Sequence, residues 1–201
     1  MREIFNTAQV ALRAALVTLL LTGVVYPLGM TGLANLLFPG KSRGSLLTDD
    51  TGRIVGSALI AQRFTGAAYF QPRPSAAGEA GYDAMASSGS NLGPTSKKLR
   101  ERVQQELARL RRDNPESTAA IPAELVTASA SGLDPHLSPA AALWQVQRVA
   151  RARGVGPERV AGVVRDQIEG RELGFLGEPR INVLLLNIAL DRQFGRPSPG
   201  G

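Results

Sequence analysis

The sequence predicts an α+β protein with one N-terminal transmembrane helix followed by a single soluble domain. Three observations carry this. Ala14 to Gly40 contains no charged side chain and is bounded by Arg13 and Lys41. Farther on, apolar residues recur at helical spacing in one long middle segment and in three C-terminal segments. Between them, only short runs have the β-branched character of strands. Helices and a few strands that do not alternate regularly indicate α+β, not α/β.

Ala14 to Phe38, built as helix, would reach about 37 Å at 1.5 Å per residue, enough to cross the hydrocarbon core with some tilt. Pro27 is expected to kink that helix near Val24 to Tyr26, because it lacks an amide hydrogen and its ring crowds the preceding turn. A cleaved secretory signal is the competing reading, with Gly32-Leu33-Ala34 as a small-x-small cleavage site. The apolar pattern continuing through Leu36, Leu37 and Phe38 favours a retained span. Ala14, Thr18 and Thr22 recur every four residues, a stripe of small side chains that lets membrane helices approach closely. These three are the candidate residues for packing against a partner helix. Arg2 and Arg13 before the span nearly balance Lys41 and Arg43 after it, so charge does not set the orientation.

Segments 1–13, 14–38, 39–194 and 195–201 are read as a tail, the span, the soluble domain and a disordered terminus. The chain has 201 residues and net charge +6. Its basic residues are dispersed and aromatic residues make up only 5%, so the stacking platforms of single-strand binders are lacking. No nucleic-acid partner is expected. There is no cysteine, which excludes disulfides, thiolate metal sites and thiol nucleophiles.

Along the soluble part, Phe38 to Gly44 reads as an exit loop. Leu46-Leu47 and Ile54 to Ile60 could pair as a hairpin across Asp49 to Gly52. Phe64 to Asn91, rich in Gly, Ser, Ala and Pro, reads as a long ordered loop. Pro94-Thr95-Ser96 opens a helix with Leu99, Val103, Leu107 and Leu110 on one face, stopping near Asn114-Pro115. Val126 to Ser129 reads as a short buried segment. Ser138-Pro139 caps a helix from Ala140 to Arg153 that buries Ala142, Val146 and Val149 and ends at Gly154. Gly156-Pro157 starts the next, with Val160, Val163, Val164 and Ile168 apolar, ending at Gly170. Pro179 introduces the last, containing Val183, Leu184, Leu186, Asn187 and Leu190.

The chain has one histidine, His136. With Ser131 and Asp134 nearby it raises the alternative of a secreted or membrane-anchored hydrolase. However, no G-x-S-x-G elbow is present, and residues this close in sequence seldom reach triad geometry. Asp134 and Ser138 are better read as turn and cap residues. No metal site is expected from one histidine and no cysteine, and no P-loop or G-x-G-x-x-G fingerprint is present.

Several longer motifs carry a resemblance: Gly56 to Phe64 (GSALIAQRF), Tyr69 to Ser75 (YFQPRPS), Ser90 to Pro94 (SNLGP), Leu125 to Pro139 (LVTASASGLDPHLSP), Gln145 to Ala150 (QVQRVA) and Gly177 to Asn187 (GEPRINVLLLN). Together and in this order the sequence resembles the C subunit of the bacterial Kdp-type potassium-transporting ATPase. Ala61 stands where many relatives have glycine. The resemblance implies an accessory, non-catalytic subunit in the cell membrane. It implies assembly with a channel-like potassium-binding subunit, a P-type ATPase subunit and a small single-helix subunit. It also implies a cytoplasmic N-terminus, an extracytoplasmic domain, and a catalytic-chaperone role raising the complex's affinity for ATP. No cofactor of its own follows; ATP and K+ belong to the complex. Gln145 is the residue that the resemblance associates with nucleotide.

Overall fold

The computed structural model describes residues 1–49 and 51–197. The chain divides into two compact units, Met1–Leu46 and Leu47–Gly201. The first is dominated by one continuous helix, Arg2–Leu37, with none of its side chains buried. It is α-helical over α1 (Arg2–Leu20) and α2 (Tyr26–Leu37), with a π-helical turn at Leu21–Val25 between them. The helix thus begins at Arg2, well before the predicted start at Ala14. Where the sequence predicts a kink, the backbone stays right-handed helical and widens by a π turn. The carbonyl of Gly23, which Pro27 cannot satisfy, lies inside that wider turn. A π bulge makes room for the ring. The predicted exit loop instead contains a short helix, α3 (Pro39–Ser42), with Ser42 Oγ donating to Asn35 Oδ1 at 2.9 Å.

The second unit is the α+β domain. Strands β1 (Leu46–Thr48) and β2 (Ile54–Ser57) form a two-stranded sheet around a turn in which Asp49 N donates to Arg53 O. Residues 58–96 then run without helix or strand. Helix α4 (Lys97–Asp113) follows, capped by Ser96, which accepts from Leu99 N. Its stripe docks through buried Leu110 and half-buried Val103 and Leu107. Helix α5 (Pro139–Arg153) has Ser138 as cap, accepting from Ala141 N, with proline at the first helical position. It ends at Gly154, whose φ of +64° is left-handed and favours glycine.

Helix α6 (Pro157–Asp166) stops four residues before Gly170, the predicted end. Helix α7 (Val183–Phe194) is started by Asn182, not Pro179, because the Asn182 side-chain Oδ1 accepts from Leu184 N and Leu185 N. A second small sheet pairs β3 (His136–Leu137) with β4 (Ile181–Asn182), antiparallel, His136 opposite Asn182. Neither strand was predicted. The core lies among α5, α6 and α7, with Val149, Val160, Val164, Ile181, Leu186 and Leu190 fully buried, and Phe70 inserted from the irregular segment. Of the terminal segment 195–201, Ser198 to Gly201 lie outside the described residues. Arg196 pairs with Asp49 at 3.1 Å.

Candidate functional site

Three polar residues of the core, Gln145, Arg148 and Asn187, converge on one stretch of backbone, Ala67 to Gln71. Two amide side chains hold it much as a neighbouring strand would. Asn187 of α7 accepts from Phe70 N (2.9 Å) and donates to Phe70 O (3.0 Å). Gln145 of α5 accepts from Gln71 N (2.9 Å) and donates to Gln71 O (3.0 Å). Both are almost wholly buried. A backbone with no sheet to join still needs its amide and carbonyl groups paired once it is buried, and these side chains supply the partners.

Arg148 lies one helical turn beyond Gln145 and is only 3% exposed. Its guanidinium donates to Ala67 O (2.6 Å), Tyr69 O (2.9 Å), Asn114 Oδ1 (3.0 Å) and Gln145 Oε1 (2.6 Å). No carboxylate is among these acceptors, and burial pulls its pKa down to about 10. That still leaves it charged at neutral pH. Arg153 extends the set, donating to Ala68 O (2.7 Å), to Gly195 O (2.9 Å) and to Asp191 (2.8 Å), while lying over the Tyr69 ring at 4.9 Å. The Tyr69 hydroxyl completes the loop by donating to Asp191 at 3.0 Å. Burial, with Asp191 beside it, raises the Tyr69 pKa, so the hydroxyl keeps its proton.

The Leu125 to Pro139 motif has a related role. Ser131 O accepts from Ser88 N (3.0 Å) and Ser87 Oγ (3.0 Å), Gly132 O from Ser75 Oγ (2.6 Å), and Leu133 O from Ala61 N (2.9 Å). Gly132 has φ +68°, and a Cβ there would sit 2.6 Å from Ser88 O and 2.7 Å from Ala77 N. Only glycine lets the two segments meet this closely.

Asp134 turns the chain, accepting from His136 N, and binds Arg73 at 3.0 Å. Its carboxyl lies below the usual range, first because of the His136 side chain, then the His136 amide and Arg73, with burial opposing. Ser131 Oγ accepts from Leu133 N. Among the described residues no hydrogen bond joins Ser131 to His136, so the pair considered for hydrolysis is not assembled.

Gln145 is therefore placed in the interior, with its amide engaged on both sides. In the helix of the first unit, Thr22 Oγ1 donates to Thr18 O at 2.7 Å. That bond satisfies a hydroxyl that hydrocarbon would otherwise leave unpaired, and the Ala14, Thr18, Thr22 stripe stays small and self-contained. Among the described residues no group of three His, Asp or Glu could hold one metal ion.

Asn187, Gln145, Arg148 and Arg153 together form a clamp on the Ala67 to Gln71 backbone, and an open cleft of about 570 Å³ is lined by Phe64, Tyr69, Leu184, Asn187, Asp49 and Arg196 among others. Sequence reasoning did not anticipate Arg148 or Arg153. The available signal was a charged residue recurring within the buried face that carries Ala142, Val146 and Val149.

One helix long and apolar enough to cross a bilayer, followed by a compact α+β unit, fits a single-span membrane protein. A family model described as "KdpC: K+-transporting ATPase, c chain" matches residues 8–192, and the chain belongs to this family. It is similar to the potassium-transporting ATPase KdpC subunit of Myxococcus xanthus, 66% identical over 191 residues covering 95% of this chain and 90% of the relative. The KdpC subunit of Nitratidesulfovibrio vulgaris is 53% identical, covering 94% and 96% of the two chains. That of Rhodospirillum rubrum is 54% identical, covering 87% and 90%. The chain is thus a subunit of a potassium-transporting P-type ATPase complex, to which K+ and ATP belong. Such membership, with the single apolar helix, points to a membrane location.

Proposed function

We propose that the chain is a non-catalytic accessory subunit that stabilises the potassium-transporting complex through its anchor and its rigid domain. The observation that carries this reading is the fate of the buried polar groups: Gln145, Arg148, Asn182 and Asn187 are all engaged with the protein's own backbone and side chains. A group so engaged must break its bonds before it can serve a ligand, whereas a rigid body can serve as a scaffold as it stands.

The anchor holds the N-terminus in the cytoplasm and places the domain outside, beside the channel-like subunit. In the membrane the Ala14, Thr18, Thr22 face packs against a partner helix, from the ATPase, channel-like or single-helix subunit. An outside domain cannot touch cytoplasmic ATP. Any catalytic-chaperone effect on ATP affinity is then a coupling free energy transmitted through bound subunits.

Topology tests the mechanism directly. The chain has no cysteine, so Met85→Cys, at a residue 95% exposed, gives a single reporter. A membrane-impermeant maleimide should label it in intact spheroplasts. Labelling only in inverted vesicles would reverse the orientation and reopen direct ATP contact. Removing Met1 to Lys41 should leave a domain that no longer co-purifies with the other subunits.

A further inference from the structure

Between α6 and β4 the chain makes a hairpin excursion whose apolar residues face away from the core. Glu169 and Arg180 exchange both backbone bonds at 2.8 and 3.0 Å, and Glu172 and Leu176 exchange both at 2.9 Å. At the tip, Leu173 and Gly174 are both left-handed, with φ of +52° and +83°. Glu172 O also accepts from Phe175 N at 3.2 Å, so Leu173 and Gly174 are the central residues of a turn with the positive φ of type I′, set in a three-residue loop before Leu176 pairs with Glu172. Ion pairs brace the stem: Arg180 reaches both Glu169 and Glu172 at 3.0 Å, and Arg171 reaches Glu178 at 2.8 Å. The hairpin is therefore held by bonds within itself. Yet Leu173 is 81% exposed, Phe175 69% and Leu176 49%. Leucine at a left-handed position is unfavourable, and here no intramolecular packing compensates for it.

Clustered large apolar side chains on an ordered projection mark an interaction surface. The charges around them identify the class of partner. The stem carries three glutamates and two arginines, Glu169, Glu172 and Glu178 with Arg171 and Arg180, and both arginines are engaged by glutamates. A device for entering an anionic lipid surface would flank its apolar residues with free lysine or arginine. This one has a net negative rim. We propose that the Leu173 to Leu176 tip is a docking knob for another protein subunit of the potassium-transporting complex, one presenting an apolar pocket with a neutral or basic edge. The proposal rests on the accessory-subunit reading and names a surface through which it operates.

The test uses the full-length chain co-expressed with the remaining subunits. Leu173→Asp combined with Phe175→Asp should lower the amount co-purifying by about tenfold or more, as loss of an apolar anchor does at other interfaces. The melting temperature of the detergent-solubilised variant should stay at the wild-type value, since Leu173 and Phe175 are mostly exposed in their own chain. Because an altered yield could arise during folding, a second measurement is independent of it. Phe175→Cys carrying a benzophenone maleimide should photo-crosslink to another subunit in the purified complex. Unchanged co-purification would overturn the proposal, as would crosslinks only to lipid or only to a second copy of this chain. In those cases the wild-type chain still co-purifies and the accessory-subunit reading survives. That reading fails separately if the wild-type chain does not co-purify.

Discussion

Two irregular parts of the soluble domain achieve order in opposite ways. Residues 58–96 have no helix or strand but are pinned from beneath by buried polar side chains: Asn187, Gln145 and Arg148 hold backbone groups of Ala67 to Gln71. Phe70 is fully buried at the centre of that stretch. Residues 167–180 are ordered by their own cross-strand bonds and exposed ion pairs, and their apolar residues remain outside. In the first region, the stretch around Ala67 to Gln71 is committed to the interior, with Phe70 and Ala68 buried. In the second, the fold gains almost nothing from the side chains at the tip, so their identity is free to serve recognition. Stability and interaction are thus separated in space, and substitutions should separate them in measurement.

The largest effect is expected at the clamp. Arg148→Ala would leave Ala67 O, Tyr69 O and Asn114 Oδ1 without their Arg148 donor in a buried site, and Gln145 Oε1 with Gln71 N alone. Loss of several buried bonds to one charged group should cost about 3–5 kcal/mol, measured by denaturant unfolding of the full chain in detergent. Arg148→Lys should recover little, because an ammonium cannot span four acceptors set out for a planar fork. Gln145→Ala comes next, at about 2 kcal/mol, since it unpairs both backbone groups of Gln71. Its effect on ATP affinity in the assembled complex should follow the loss of folded protein. A lowered ATP affinity in a variant of unaltered stability would show that Gln145 does more than hold Gln71.

Much of this was legible in the sequence, and what was not has identifiable physical causes. The long apolar N-terminal helix, the stripe of Leu99 to Leu110 and the Ser138 cap follow from local rules, and the structure has all three. The helix extends back from the uncharged span to Arg2, because the charges of Arg2, Glu3 and Arg13 interrupt apolarity without interrupting helix. The end of α6 was misplaced because Ile168 fitted the helical period, although the chain had already turned at Gln167 to enter the hairpin. Strands β3 and β4 are two residues each, too short for any pattern. The clamp is the deeper case. An arginine or an amide on a buried face has no local signal for which carbonyl it will meet 74 or 81 residues away.

A smaller effect is expected where the motif around His136 meets solvent. Asp134 is held below the ordinary carboxylate range, so its ionised form favours the folded state. That contribution is fully present above the unfolded value of about 3.9 and is lost as pH falls through the lower folded pKa. Asp134→Asn should therefore flatten the acid limb of stability below about pH 4. At neutral pH it should cost less than about 1 kcal/mol, because the Arg73 pair is partly exposed and screened. An acid limb identical to wild type would mean that other carboxylates govern it.

The smallest change in stability is the one that distinguishes the two regions most sharply, because its sign should be positive. Leu173 occupies a left-handed position at the hairpin tip, and Leu173→Asn would create Asn-Gly, the pair best suited to that turn. Asparagine tolerates the backbone that leucine resists, so the full chain should gain about 0.5 kcal/mol, read as a small rise in the denaturant midpoint. If the tip serves a partner, the same substitution should weaken assembly. A more stable chain that associates less well would mean that leucine is retained at a cost to its own fold. A gain in stability with assembly intact would assign the burden of docking to Phe175 and Leu176 alone.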